Sequence, residues 1–131
     1  MDIDDIRYLR ILDRTAELGL FVLAHAGNDP GFPGVVNCSP AQILRAVRQI
    51  PGITFIAAHM GGWKNWEDTS LLGEERFLQM VELFGAKRVL FGTDSPWSSQ
   101  KTSLAWIQAL PLEQEKKEAI LGGNARKLLG I

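Results

Sequence analysis

Three short apolar runs without alternating polar residues stand out along the chain, at residues 20–24, 53–58 and 89–91. Strands that are covered on both faces, as in a parallel sheet between helices, have this uniformly apolar composition. We therefore predict three buried parallel β-strands, with segments between them that are long enough to form helices.

The segments around these runs have the apolar spacing of amphipathic helices. Gly19 and Gly85 follow the first and third of them, and glycine is the usual residue just past a helix end. Ser39 and Gln42 flank Pro40 in the pattern of a capping box, which marks the start of the second. The predicted helices cover residues 4–18, 40–50, 74–84, 101–109 and 112–121, followed by a short last helix.

The last helix is predicted to begin at Asn124, because "GGN" is typical of a helix stop, a turn and a new N-cap. Helices and strands thus alternate along the chain, which predicts an α/β fold with parallel strands and flanking helices. The 131 residues suffice for one domain with one core. No G-x-G-x-x-G follows a strand, so a dinucleotide-binding fold is disfavoured.

Composition narrows the functional classes. The formal net charge is −1, so nothing favours nucleic acid or an anionic membrane as a partner. The single cysteine, Cys38, excludes an intrachain disulfide, fits a reducing cytosol and belongs to no motif, so we expect it to have no functional role. The amino terminus lacks the pattern of a secretory signal, and no apolar stretch approaches a bilayer span. We expect a soluble cytoplasmic protein with a small-molecule substrate.

A polar side chain follows each apolar run, namely His25, His59 and Asp94. Successive members are one strand–helix repeat apart, and the carboxyl ends of parallel strands meet at one edge of a sheet. Imidazole and carboxylate suit a divalent ion such as zinc or manganese. We therefore predict a metal site at this edge, with hydrogen-bonded structural histidines as the alternative.

Asp94 has a second interpretation, as the N-cap of a helix that begins near Pro96. Ser95 directly precedes Pro96 and is itself a good N-cap, which leaves Asp94 free for the site. Gly27 is among the glycines that allow tight turns just past the strands.

The loops at this edge hold further candidates. Residues 27–40, rich in glycine and proline, are a candidate lid or substrate loop, with an ordinary connection as the alternative. Three tryptophans are candidate pocket walls, with packing over the rim as the alternative: Trp63, Trp66 and Trp97.

Four separated motifs resemble one known family. "HAG" at 25–27, "HMGGW" at 59–63, "LFGTDSPW" at 90–97 and the closing "GGNARKLLGI" resemble the amidohydrolase-related family of TIM-barrel metal-dependent hydrolases. That family also includes enzymes of the aminocarboxymuconate-semialdehyde decarboxylase type. The resemblance runs from about residue 10 to residue 131 and implies part of a TIM (β/α)8 barrel.

The resemblance also implies a role for each candidate residue. His25 would be a metal ligand from the fifth barrel strand, and His59, from the sixth, would bind a second metal or act in acid–base chemistry. Asp94, from the eighth strand, would ligate metal and handle the proton of the attacking water, whereas Asn124 would be structural. The implied function is a metal-dependent hydrolase acting on a C–N or C–O bond. A decarboxylase of the same family and a non-catalytic interaction module are the alternatives.

Two departures from the family pattern concern completeness. Members open with a His-x-His pair on the first strand, and this chain has two histidines in all. A complete barrel takes about 250 residues, and the stretch after "HMGGW" is too short for a helix and a seventh strand. We interpret residues 1–131 as a single domain, the carboxyl half of a barrel without strand 1 and the strand 7 region. A fragment, a sequence with omitted stretches and a true half-barrel that pairs with another chain all fit.

Overall fold

The computed structural model describes residues 1–29, 31–59, 73–96 and 98–131. The chain divides into two compact units, Met1–Leu71 and Leu72–Ile131, and each is described by itself. The interpretation of the whole chain as one domain stays a prediction.

The first unit contains two helices and two parallel strands. Its elements are α1 (Ile6–Glu17), β1 (Phe21–Ala24), α2 (Pro40–Gln49) and β2 (Thr54–Ala57). The strands pair in parallel, with Phe21 opposite Thr54 and Ala24 opposite Ala57. Helix α2 lies in the connection between them, as a parallel pair requires. The first two predicted strands and the helices beside them are therefore confirmed.

One face of this sheet packs against the helices. Alternate strand residues Val22, Ala24, Phe55 and Ala57 contact a buried cluster formed by Ile3, Leu12, Ala26, Cys38, Ala46 and Ile50. On the opposite face, Phe21 is 40% exposed and Leu23 is 64% exposed. Successive side chains of a strand point to opposite faces of the sheet. The first unit by itself therefore covers one face of this sheet, whereas the apolar runs predicted that both faces would be covered.

The start of α2 is fixed by the predicted capping box. The Ser39 amide donates to Gln42 Oε1 at 2.7 Å, and the Gln42 amide donates to Ser39 Oγ at 3.3 Å. Two backbone N–H groups without helical partners are thereby satisfied. Gly19, just beyond α1, has a φ of 66°, the left-handed conformation expected of a glycine past a helix end.

The second unit is helical. Its elements are α3 (Glu74–Phe84), a 3₁₀ turn (Ala86–Arg88), α4 (Gln100–Ala109), α5 (Gln114–Glu118), a π-helical turn (Ala119–Gly123) and α6 (Asn124–Leu129). Its buried apolar side chains are Phe77, Met80, Val81, Val89, Ile107, Leu110 and Ile120. None of the helices formed by the described residues combines the length and apolarity needed to cross a bilayer.

Residues 89–91, predicted as the third strand, lie outside the sheet, which has two strands among the described residues. Val89 is extended and buried, but the Phe91 amide donates to the Ile120 carbonyl at 3.1 Å rather than to a strand. The other two residues of the run, Leu90 and Phe91, are half-buried. The apolar run therefore indicated burial but not pairing, because a ladder also needs a partner strand in register.

The helix predicted at residues 101–109 is confirmed, but the helix start near Pro96 that was considered for Asp94 and Ser95 is wrong. Helix α4 begins at Gln100, and its N-cap is Ser99, whose Oγ accepts a hydrogen bond from the Thr102 amide at 3.4 Å. Ser95 and Ser99 are equally good caps by residue type. The sequence pattern could not choose between them.

The short last helix begins at Asn124 as predicted, because α6 spans Asn124–Leu129, but the interpretation of "GGN" as a helix stop, a turn and a new N-cap is wrong. Gly122 and Gly123 lie inside the π-helical turn, and Asn124 continues it with helical φ and ψ of −69° and −41°. The buried Asn124 side chain does not cap a helix. Its Nδ2 donates to the carbonyls of Ala86 at 2.7 Å and Val89 at 2.8 Å, a structural role in agreement with the one implied by the family resemblance.

Candidate active site

The histidines that follow the two paired strands lie in contact with each other. His59 Nε2 is 3.0 Å from His25 Nδ1, and the ring centroids are 4.6 Å apart with planes inclined at 61°. The ladder of backbone hydrogen bonds ends just before them, where the Ala58 amide donates to the Ala24 carbonyl. The structure thus brings together two of the three predicted site residues at the carboxyl ends of adjacent strands.

The two histidines meet although they are out of step in the strand register. Ala24 lies opposite Ala57, so Ala58 is the counterpart of His25, and His59 is one residue further along. Because side chains alternate between faces, a straight continuation of β2 would direct His59 away from His25. His59 instead has a φ of 55°, and this left-handed turn brings its ring to His25.

A hydrogen bond between His25 Nε2 and a main-chain carbonyl fixes the tautomer of the His25 ring. His25 Nε2 lies 2.7 Å from the Asn28 carbonyl oxygen, and a carbonyl only accepts hydrogen bonds, so Nε2 carries the proton. The neutral imidazole then has its lone pair on Nδ1, the atom that faces His59. Metal-binding histidines have this arrangement, with the second ring nitrogen donating to a carbonyl or carboxylate.

The spacing of the two facing nitrogens fits adjacent ligands of one cation. For metal–nitrogen bonds of about 2.0–2.1 Å, two ligands lie about 2.9 Å apart at a right angle and about 3.3 Å apart at a tetrahedral angle. The 3.0 Å between His25 Nδ1 and His59 Nε2 falls in this range. Without a cation, the proton of one ring occupies the space between the two nitrogens.

Asp94, the third predicted site residue, lies in the second unit between the 3₁₀ turn and α4, with an exposed side chain. Its φ is 51°, and His59 and Asp94 are the two non-glycine residues with positive φ in the described part of the chain. A left-handed backbone costs an L-residue about 1–2 kcal/mol, and such strain is concentrated at functional sites. The backbone therefore singles out both residues independently of their side-chain chemistry.

The full ligand set stays a prediction. Within the described ranges, no group of three or more His, Cys, Asp or Glu side chains has the arrangement of a metal cluster. His25 and His59 form a pair inside the first unit, and Asp94 belongs to the second.

The loop at residues 27–40 is held by several internal hydrogen bonds. The Gly27 amide donates to the Cys38 carbonyl at 2.9 Å, and Asp29 Oδ1 accepts from the Gly31 amide at 2.8 Å. Its role as a lid or substrate loop stays a prediction. Trp63, Trp66 and Trp97 lie outside the described residues, as does most of the stretch after "HMGGW".

Cys38 itself is buried, and burial raises the pKa of its thiol to about 11. A thiol that stays protonated is a poor nucleophile and a poor metal ligand. The contribution of Asn28 to the site was not predicted from the sequence. Asn28 acts through its main-chain carbonyl, which any residue type could supply, so its residue type gave no indication of this contact. The one indication in the sequence was the neighbouring Gly27, which marks a tight turn after the strand.

Comparison with known proteins places the chain in a family. The family profile described as amidohydrolase matches residues 1–131. Proteins with curated annotation give no significant match.

Solved structures agree on the fold. An uncharacterised TIM-barrel protein of Bordetella bronchiseptica has 27% sequence identity and a TM-score of 0.82, over 99% of this chain and 52% of its own. Dihydroxybenzoic acid decarboxylase of Polaromonas sp. JS666 has 15% sequence identity and a TM-score of 0.74, and the match covers 99% of this chain and 55% of the decarboxylase. That structure contains manganese and the inhibitor 2-nitroresorcinol. The 2,6-dihydroxybenzoate decarboxylase from Rhizobium has 16% sequence identity and a TM-score of 0.74, and the match covers 99% of this chain and 57% of the decarboxylase.

This chain therefore spans about half the length of these structures, and its fold is part of an α/β TIM barrel. The separation of His25 and His59 by one strand and one helix matches the repeat of such a barrel. Because the family profile matches this chain from residue 1 to residue 131, the chain belongs to the amidohydrolase family.

Proposed function

We propose that this chain supplies the carboxyl-terminal half of the active site of a metal-dependent hydrolase, which cleaves a C–N or C–O bond in a small molecule. The observation that carries the proposal is the 3.0 Å approach of His25 Nδ1 and His59 Nε2 at the ends of two paired strands. Membership of the amidohydrolase family supports it.

His25, His59 and Asp94 would hold the cation, with zinc as the first candidate and manganese as the second. The manganese in the Polaromonas decarboxylase supports the second candidate. The chemistry that a divalent cation supplies in such a site is activation of water near neutral pH and polarisation of the bond to be cleaved.

The side chains of this chain would move the protons. The Asp94 carboxylate would accept the proton of the attacking water and return it to the leaving group. His59 would donate a hydrogen bond or a proton to the anion that develops on the substrate. His25, held through Nε2 by the Asn28 carbonyl, would keep its orientation throughout, which lowers the cost of reorganisation during the reaction.

Decarboxylation is the second candidate reaction, and the likeness to two dihydroxybenzoate decarboxylases favours it. The same three residues would serve, with a proton delivered to the carbon that loses carbon dioxide. At 15–16% identity these neighbours support the fold more than the reaction. Release of carbon dioxide from hydroxybenzoate substrates by the metal-loaded protein would favour decarboxylation, whereas cleavage of amide or ester substrates would favour hydrolysis.

The metal assignment is tested on the chain itself. We expect the wild-type chain, dialysed against zinc or manganese, to retain the ion in elemental analysis, and His25→Ala and Asp94→Ala each to lose it. Asp13→Asn, a change of one exposed carboxylate on α1, is the control for general loss of charge and should retain the ion.

Full metal content in both His25→Ala and Asp94→Ala would refute the assignment. Loss in His25→Ala with retention in Asp94→Ala would remove Asp94 from the ligand set. A wild-type chain that retains neither ion would favour the non-catalytic interaction module over the enzyme.

A further inference from the structure

We propose that Gly27 is a positioning residue for the histidine pair, because its left-handed backbone places the Asn28 carbonyl on His25 and so fixes the tautomer that presents Nδ1 to His59. The relevance of this tautomer to metal binding rests on the proposed function. The positioning itself is a property of the metal-free chain and can be measured there.

The backbone of Gly27 has the conformation that this placement needs. Its φ is 93°, a value that L-residues rarely adopt. Gly27 is buried, and its amide donates to the Cys38 carbonyl at 2.9 Å. Cys38 directly precedes Ser39, the N-cap of α2. The turn after His25 is therefore tied to the capped start of a helix.

Asn28 is held from its other side as well. Asp29 Oδ1 accepts from the Gly31 amide at 2.8 Å, and the Asp29 carbonyl accepts from the Phe32 amide at 3.0 Å. Asn28 therefore lies between two hydrogen-bonded residues, and its carbonyl oxygen is 2.7 Å from His25 Nε2.

The placement has a chemical consequence for His25. A carbonyl cannot donate a hydrogen bond, so it stabilises the neutral ring with the proton on Nε2 over the ring with the proton on Nδ1. If the carbonyl turned away, a proton on Nδ1 could be donated to His59 Nε2 instead. His25 would then have no lone pair on Nδ1, and before it could bind a cation it would have to move its proton to Nε2, where no carbonyl would accept it.

Imidazole nitrogen NMR on the ¹⁵N-labelled, metal-free protein tests the proposal, at about pH 9, where imidazoles are neutral. The sequence has two histidines, and a His59→Gln variant assigns the His25 signals. We expect wild-type His25 to be in the Nε2–H form. Gly27→Ala should give a mixture of tautomers and a metal affinity lower by about tenfold or more.

Two further variants are controls. Gly34 lies in the same loop with a φ of 81° and open space around it, so Gly34→Ala imposes similar backbone strain without a contact to the ring. Asn28→Ala keeps the main-chain carbonyl. Both should leave the tautomer of His25 unchanged.

An Nδ1–H form of His25 in the wild type would overturn the proposal, and this measurement decides the matter even if circular dichroism shows Gly27→Ala to be unfolded. So would an unchanged tautomer in folded Gly27→Ala, or an equal change in Gly34→Ala. A wild-type chain with the Nε2–H form that binds no metal would keep the positioning role and refute the proposed function instead.

Discussion

His59 lies one residue past the position opposite His25 in the strand register, yet its imidazole contacts the imidazole of His25. The sheet alone would separate the two rings, since neighbouring positions on a strand point to opposite faces. The left-handed backbone of His59 brings them together. The pair is therefore built by a local departure from strand geometry, at an energetic cost that regular β-structure would avoid.

Asp94 has the same backbone conformation, and this predicts an order of stability among its variants. At a φ of 51°, glycine is unstrained whereas alanine is strained, so Asp94→Gly should be more stable than Asp94→Ala by about 1 kcal/mol. Urea unfolding of the two variants measures the difference.

The control is the same pair of substitutions at Glu82, an exposed residue inside α3. There the order should reverse, with alanine more stable than glycine by about 1 kcal/mol, because the backbone is helical. If alanine is at least as stable as glycine at position 94 as well, Asp94 does not have a left-handed backbone in solution.

Asn124 is predicted to be one of the costliest polar residues to replace. Both protons of its buried amide are used, on the carbonyls of Ala86 and Val89. Asn124→Ala leaves these carbonyls without their donor and should lower the free energy of unfolding by about 2–3 kcal/mol. Asn124→Asp has nearly the same shape but presents a second acceptor, so it too should destabilise the chain.

The measurement is again urea unfolding. Gln108→Ala, at an exposed position on α4, should change stability by less than about 0.5 kcal/mol. If Asn124→Asp retained the wild-type stability at neutral pH, the amide hydrogen bonds would not be the stabilising contribution.

The serines before the helices should differ in the cost of replacement by alanine. Ser39→Ala and Ser99→Ala each remove a side-chain N-cap and should cost about 1 kcal/mol. Ser95→Ala removes no cap and should cost less than about 0.5 kcal/mol. Thermal unfolding of the three variants measures the order, and a larger loss for Ser95→Ala than for Ser99→Ala would restore the helix start predicted near Pro96.

Cys38 is predicted to react slowly in the folded chain. Burial raises the pKa of its thiol from 9.0 to about 11, so at about pH 8 the reactive thiolate fraction falls from about one tenth to about one thousandth. Labelling with a disulfide reagent should be at least about a hundredfold slower in the native protein than in urea, and should accelerate as the pH rises toward 11. Equal rates in the two states would show that the thiol is accessible and ionises normally.

The sequence was informative where one short pattern determines one local structure. The capping box of Ser39 and Gln42 and the glycine at position 19 formed as predicted, because each depends on neighbouring residues alone. The strand-end positions of His25 and His59 followed from the apolar runs before them. Recognition of the family added the barrel, which the two-stranded sheet of the described residues would not show by itself.

The failures concern choices among equivalent residues and contacts with distant partners. Ser95 and Ser99 have the same intrinsic capping preference, and the structure uses the second. Asn124 has the residue type of an N-cap, but carbonyls 35 and 38 positions earlier in the chain take both of its protons. The backbone reversal at His59 was also unpredictable, since histidine has no intrinsic preference for it strong enough to read from one sequence.

The π-helical turn at Ala119–Gly123 holds one residue more than the corresponding stretch of α-helix. Removal of one residue from this turn would restore an ordinary α-helix. Because the π-helical turn and the shortened α-helical stretch complete nearly the same rotation, Asn124 would still face the carbonyls that it joins. Related sequences that keep this asparagine should therefore tolerate the loss of one residue within the turn, whereas a gain or loss in the α-helical residues that follow it would rotate side chains by about 100° about the helix axis.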